Sequence, residues 1–187
     1  MVPTMAAAQM TPSTTFGVKA GVNVATLSTD TDSELSQKIG LVGGVFAGRT
    51  INERLSMRVE GLFSQRGAKE QVGSVDTSVN LTYFDLPLLA VFGNTTTDGT
   101  HFHAFTGPQV SFRLSANVKE DASDFTVDLK DETKGVDFGW TLGAGVERDR
   151  LSFDVRYTLG LTNADNSASD ASIKNRTFAV MVGYRLK

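Results

Sequence analysis

The sequence predicts an all-β chain of 187 residues: an antiparallel up-and-down transmembrane β-barrel of about eight strands. Three observations predict it. Apolar residues recur at every second position in segment after segment, and only a strand sorts that period onto one face. The polar connections between these segments alternate between long and short, as they do in barrels that cross a bilayer. Aromatic residues on the apolar faces gather at two depths, with aliphatic residues between them.

The elements follow in chain order. Segment 15–28 sets Phe16, Val18, Ala20, Val22 and Val24 against Lys19 and Asn23. Segment 39–50 is strand-like, but its glycines and mixed apolar residues leave its facing open. Segment 54–66 places Leu55, Met57, Val59, Gly61 and Phe63 opposite Ser56, Arg58, Glu60, Ser64 and Arg66, with Leu62 as the exception. Segment 81–93 alternates Phe84, Leu86, Leu88 and Phe92 with Tyr83, Asp85 and Pro87, and segment 101–116 sets Phe102, Ala104, Val110, Phe112 and Leu114 against His103, Gln109, Ser111 and Arg113. The alternation is cleanest in 137–147 and 151–161. There Phe138, Trp140, Leu142, Ala144 and Val146, then Leu151, Phe153, Val155, Tyr157, Leu159 and Leu161, each oppose a small or polar neighbour. Segment 174–186 closes with Phe178, Val180, Val182, Tyr184 and Leu186 on one face.

The connections span 29–38, 51–53, 67–80, 94–100, 117–134, 148–150 and 162–173, and the long ones are rich in Ser, Thr, Asp, Lys and Glu. In an outer-membrane barrel the long loops lie outside and the short turns face the periplasm, so an even strand number puts both termini on the periplasmic side. Residues 1–12 read as a flexible tail ahead of a barrel domain at 13–187, and Ala6-Ala7-Ala8 has the small-x-small form of an export-signal cleavage site. No apolar run approaches the roughly 20 residues of a spanning helix; the longest, Leu86 to Phe92, is interrupted by Pro87. The absence of cysteine excludes disulfides, thiol nucleophiles and thiolate metal sites, and a net charge of −3 argues against a nucleic-acid partner.

Alternation alone allows two barrels of opposite polarity. A soluble or periplasmic carrier would hold an apolar small-molecule ligand inside; a membrane barrel turns its apolar face to lipid. The belts favour lipid. Phe16, Phe92, Phe102, Phe153 and Tyr184 fall near the short-turn ends, while Phe63, Phe84, Phe112, Phe138, Trp140 and Phe178 fall near the long-loop ends. The polar face then becomes the lumen. It carries Lys19, Arg58, Arg66, Arg113 and Arg156 against Glu60, Asp85, Asp137, Glu147 and Asp154, five charges of each sign. Buried charges persist when paired, so the expectation is a structural ion-pair network filling a narrow interior, not a pore.

Sites of chemistry are sparse. His101 and His103 share a strand face, but no third metal ligand lies near them in sequence, and polar residues at a membrane interface are the simpler reading. Asp30-Thr-Asp32 and the acidic run from Asp121 to Asp131 lack the spaced ligands and central glycine of a calcium loop. Gly143-Ala-Gly145 lies inside a strand, so it is no phosphate loop. No catalytic residues, cofactor or metal are therefore expected. The expected partners are outer-membrane lipid and an extracellular or envelope partner met by the long loops.

Several stretches carry a family likeness in order and spacing. They are Gly17-Val-Lys-Ala-Gly-Val-Asn23, Arg58-Val-Glu-Gly-Leu-Phe-Ser-Gln-Arg-Gly67, Tyr83-Phe-Asp-Leu-Pro-Leu-Leu89, Gly107-Pro-Gln-Val-Ser111, Asp137-Phe-Gly-Trp-Thr-Leu-Gly-Ala-Gly-Val-Glu147 and Arg176-Thr-Phe with Gly183-Tyr-Arg185. Through them the chain resembles the PorT-like outer membrane β-barrel family over 13–187. That resemblance implies an exported eight-stranded barrel in a Gram-negative outer membrane, with no shared catalytic activity.

Overall fold

The computed structural model describes residues 13–28, 36–72, 75–120, 123–128, 135–161 and 174–187. Nine strands lie among them: β1 (Thr14–Ser28), β2 (Ser36–Thr50), β3 (Leu55–Val72), β4 (Val75–Thr95), β5 (Thr100–Glu120), β6 (Ser123–Asp128), β7 (Val136–Arg148), β8 (Leu151–Gly160) and β9 (Lys174–Arg185). Eight of them close a ring in the order β1-β2-β3-β4-β5-β7-β8-β9, and β9 pairs back onto β1. Every neighbouring pair is antiparallel. Closure is what lipid demands, because a sheet with no edge satisfies all its backbone donors and acceptors internally.

The apolar face points outward. Val18, Val22, Val59, Leu88, Leu142, Phe153 and Val182 are exposed, while Lys19, Glu60, Asp85, Asp154 and Arg156 are buried in the interior. That polarity removes the apolar-ligand carrier, which needs the reverse arrangement. Segment 39–50, ambiguous in sequence, takes the same sense: Ile39, Leu41 and Val45 face out, and Val42 and Phe46 face in. Strand register brings the aromatics to common depths. Phe63 pairs with Phe84, Phe84 with Phe112, and Tyr157 with Phe178, all toward the long-connection end.

Two connections differ from expectation. Residues 67–72 and 75–80 are not loop: β3 and β4 run on as paired strands to Val72↔Val75. Within 117–134, β5 continues to Glu120 and β6 folds back on it, pairing Asn117 with Asp128. The physical reason is solvent. A strand that outruns the bilayer has water on its outer side and carries few apolar residues, so the short alternations Val75-Asp-Thr-Ser-Val79 and Phe125-Thr-Val127 are lost among Ser, Asp, Lys and Glu and read as polar connections. The tail 1–12, the segment Asp30-Thr-Asp32 and the connection 162–173 lie outside the described residues.

The opposite rim is made of three tight turns. Asn52 Oδ1 accepts the amides of Arg54 (3.0 Å) and Leu55 (2.9 Å), an Asx turn that reverses β2 into β3. Between β4 and β5, Gly99 supplies a φ of +83° and donates to Thr96 O at 3.0 Å. The hydroxyls of Thr96 and Thr100 hydrogen-bond Asp98 there and hold its carboxyl below the usual range. Asp149, at φ 57°, turns β7 into β8 in two residues. The start of β1 and the C-terminal residues meet on this rim, where Phe16 N donates to Lys187 O (3.0 Å) and Leu186 N to Phe16 O (2.8 Å).

Candidate functional site

Among the described residues the lumen concentrates the charged and polar side chains, and it is layered along the barrel axis. Nearest the short turns lies a compact charge cluster. Lys19 Nζ from β1 contacts Glu60 Oε1 of β3 at 3.0 Å and also Asp154 Oδ2 of β8. Arg156 Nη1 lies 2.8 Å from Glu60 Oε2, and His103 Nε2 lies 2.9 Å from Asp154 Oδ1. Arg58 Nη1 stands farther off, 3.9 Å from Glu60 and 3.8 Å from Asp154. Two rings pack against this cluster from the lumen side: Phe46 lies 5.3 Å from Lys19 Nζ, and Phe105 lies 5.4 Å from the Arg156 guanidinium carbon.

Glycine makes the room. A Cβ at Gly145 would collide with Asp154 Oδ1 and approach His103 Nε2 to 2.8 Å, and one at Gly143 would collide with the Phe105 ring. The Gly143-Ala-Gly145 pattern is thus a packing device that lets a histidine, a carboxylate and a phenyl ring share one cross-section.

Above the cluster comes an uncharged hydrogen-bonded layer. Thr141 Oγ1 bridges Gln109 Oε1 (2.8 Å) and Thr158 Oγ1 (2.9 Å), Gln109 donates to Ser111 Oγ (3.0 Å), and Asn23 donates to Ser64 Oγ (2.9 Å). Farther toward the long connections, Arg66 Nη2 meets Asp85 Oδ2 at 2.5 Å and Arg113 Nη2 meets Asp137 Oδ2 at 4.0 Å. Tyr83 sits between the two arginines, with its ring 4.7 Å from Arg66 and its hydroxyl accepting from Arg113 Nε at 3.3 Å.

Of the ten charges expected in the lumen, nine line the interior in these two groups. Glu147 stands apart, at the short-turn rim, where Arg185 Nη2 reaches it at 3.2 Å. His103 also departs from expectation, because it is a buried lumen residue and not an interfacial one. Its even spacing from Gln109 and Ser111 on the polar face was the available signal. Phe46 and Phe105 were harder to find, since an aromatic residue reads as lipid-facing unless its parity is followed along the strand. Among the described residues no group of three metal-ligating side chains occurs.

On the outside, Trp140 Nε1 donates to Thr106 Oγ1 at 2.8 Å across the β5–β7 pair, which satisfies the indole donor while the ring faces lipid.

An antiparallel barrel that is apolar outside and charged within is the signature of an integral outer-membrane protein. The chain belongs to the outer membrane protein beta-barrel domain family, whose model matches residues 7–166, and it resides in the cell outer membrane. Among solved structures, it is similar to Ail, the attachment invasion locus protein of Yersinia pestis, in complex with the heparin analogue sucrose octasulfate. That likeness has a TM-score of 0.51 at 15% identity and covers 92% of this chain and 99% of Ail. It also aligns with Neisserial surface protein A (NspA), with a TM-score of 0.48 at 17% identity, over 90% of this chain and 96% of that one. At such identity the similarity to Ail is one of fold. No curated protein matches the chain.

Proposed function

We propose that this protein is a PorT-like barrel with a plugged lumen, a non-catalytic scaffold that presents its long connections to a partner outside the cell. The observation that carries the reading is the lumen cross-section at Lys19, Glu60, Asp154 and Arg156, where buried ion pairs and the Phe46 and Phe105 rings occupy the interior. An interior of about eight strands is only wide enough for side chains to fill. With the interior committed to packing, the projecting end is left as the working surface.

Charge narrows the partner. The four stretches 25–38, 67–80, 116–134 and 162–175 together carry thirteen Asp and Glu against six Lys, a balance of −7 in a chain whose net charge is −3. A strongly acidic end steers cationic partners toward it and repels polyanions. The sulfated ligand of Ail is thus a poor guide here, and a basic protein surface is the better fit. The test is binding to intact cells. Cells displaying the protein should retain a fluorescent basic protein such as lysozyme and leave labelled heparin at background. Changing the Asp and Glu residues of 116–134 to Asn and Gln should release the basic probe. Retention of heparin, or indifference to the neutralised stretch, would contradict the reading, as would a large steady conductance in planar bilayers.

A further inference from the structure

The lumen charges are balanced at one end and unbalanced at the other. Toward the long connections each guanidinium has its own carboxylate, Arg66 with Asp85 and Arg113 with Asp137. Toward the short turns three cations, Lys19, Arg58 and Arg156, share two carboxylates, Glu60 and Asp154. Each of the four oxygens of those carboxylates has a nearer neighbour than Arg58. Glu60 Oε1 holds Lys19 at 3.0 Å, and Oε2 lies 2.8 Å from Arg156 Nη1 in an ion pair without hydrogen-bond geometry; Asp154 Oδ2 holds Lys19 and Oδ1 holds His103 at 2.9 Å. Arg58 is the surplus cation, beyond hydrogen-bond distance of both at 3.8 and 3.9 Å.

Its position gives that surplus a direction. The Arg58 side chain is only 13% exposed, and it borders a cavity of about 330 Å³ that opens at the short-turn rim. Arg49, Arg54, Arg185 and His101 also line this cavity with the carboxylates of Glu53, Glu147 and Asp149, so its four arginines exceed its acids by one, and Glu147 is held by Arg185. A mostly buried guanidinium without a carboxylate of its own is costly to the fold, and its planar fork matches an oxyanion through two parallel N–H bonds.

We propose that the short-turn mouth is a binding site for a small oxyanion, a carboxylate or phosphate group, with Arg58 as its floor and Arg54 at its entrance. The cavity holds a group of that size and not a folded partner. Because short turns face the periplasm, the oxyanion comes either from a periplasmic solute or from the headgroup of a neighbouring lipid.

The probe is inorganic phosphate, titrated at constant ionic strength against chloride into the ¹⁵N-labelled barrel in an uncharged maltoside detergent. The amides of Gly48, Gly93 and Gly99, all on the cavity wall, should shift and saturate. Arg58→Gln should weaken binding about tenfold or more, as expected when a hydrogen-bonded charge is lost. Arg54→Gln, in an exposed turn that leaves folding intact, should weaken it about threefold. Shifts that grow linearly without saturating would overturn the proposal. So would unchanged affinity in Arg58→Gln or, if that variant does not fold, in Arg54→Gln. Repeating the titration in phosphatidylcholine nanodiscs with and without phosphatidylglycerol separates the sources: competition by the anionic lipid assigns the site to a headgroup, and equal affinity assigns it to a solute.

Discussion

Removing the charge of Glu60 while keeping its volume is the sharpest perturbation of the lumen. Glu60→Gln leaves Lys19, Arg58 and Arg156 facing Asp154 alone, where before the carboxylate met Lys19 at 3.0 Å and Arg156 at 2.8 Å. Breaking a buried pair from one side costs about 3–5 kcal/mol, because the orphaned charges stay out of water. The amide retains one acceptor, so a loss of about 3 kcal/mol is expected, on the order of a hundredfold in the folding equilibrium. The rim pair is the internal comparison. Glu147 and Arg185 are 3.2 Å apart, but the Arg185 side chain is 39% exposed, and Arg185→Gln should cost only about 0–1 kcal/mol. Adding Arg156→Gln to Glu60→Gln should recover part of the loss by removing one of the unpaired cations. Urea unfolding in lipid vesicles, followed by heat-modifiable gel mobility, measures each variant. A cost for Glu60→Gln no larger than for the rim variant, or strict additivity in the double variant, would refute the buried-network reasoning.

Further outcomes follow from the faces of the barrel. Leu142→Arg and Val155→Arg, on the outer face, should each obstruct insertion by about 2–4 kcal/mol, read as lost folding yield into vesicles. Thr141→Val should destabilise by about 1–3 kcal/mol, because it strands the buried partners Gln109 and Thr158; denaturant midpoints of the refolded barrel would show it. The chain lacks cysteine, so single cysteines report sidedness: a maleimide too large for porins should label Gly135→Cys, exposed at the long-connection end, on intact cells and Asp98→Cys only after the outer membrane is breached.

Where lipid and lumen impose opposite demands on successive residues, the strands were legible in the sequence. Segments 137–147 and 151–161 are the clearest, because Trp140 and Leu142 alternate with Gly139, Thr141 and Gly143 without exception. Legibility ended where that contrast ended. Residues 67–72 and 75–80 lie beyond the apolar band, and the only period-two trace there, Val75, Thr77 and Val79 against Asp76, Ser78 and Asn80, is short and sits among polar residues that read as a loop. Segment 39–50 hid its facing for a different reason. Its lumen positions include Val42 and Phe46, apolar residues that pack the interior, so both faces look alike. The site was half legible. Which side chains carry lumen charge followed from parity, but partner choice depends on strand register, which no single segment encodes. Glu147 could be grouped with Asp154 in sequence, yet the closing β8–β9 pairing brings Arg185 to the same rim and gives it a different partner.

The central claim is that the apolar face meets lipid, and the chain's one tryptophan, Trp140, tests it most directly. Its side chain faces outward, 43% exposed, in the belt toward the long connections. The protein should be refolded into vesicles of brominated phosphatidylcholine and its fluorescence compared across lipids carrying bromine at different depths. Bromine near the glycerol backbone should quench Trp140 strongly, bromine near the chain ends should quench it less, and aqueous iodide should have little effect. Weak quenching by every brominated lipid, together with efficient quenching by iodide, would mean that this face meets water and would contradict the orientation of the whole barrel.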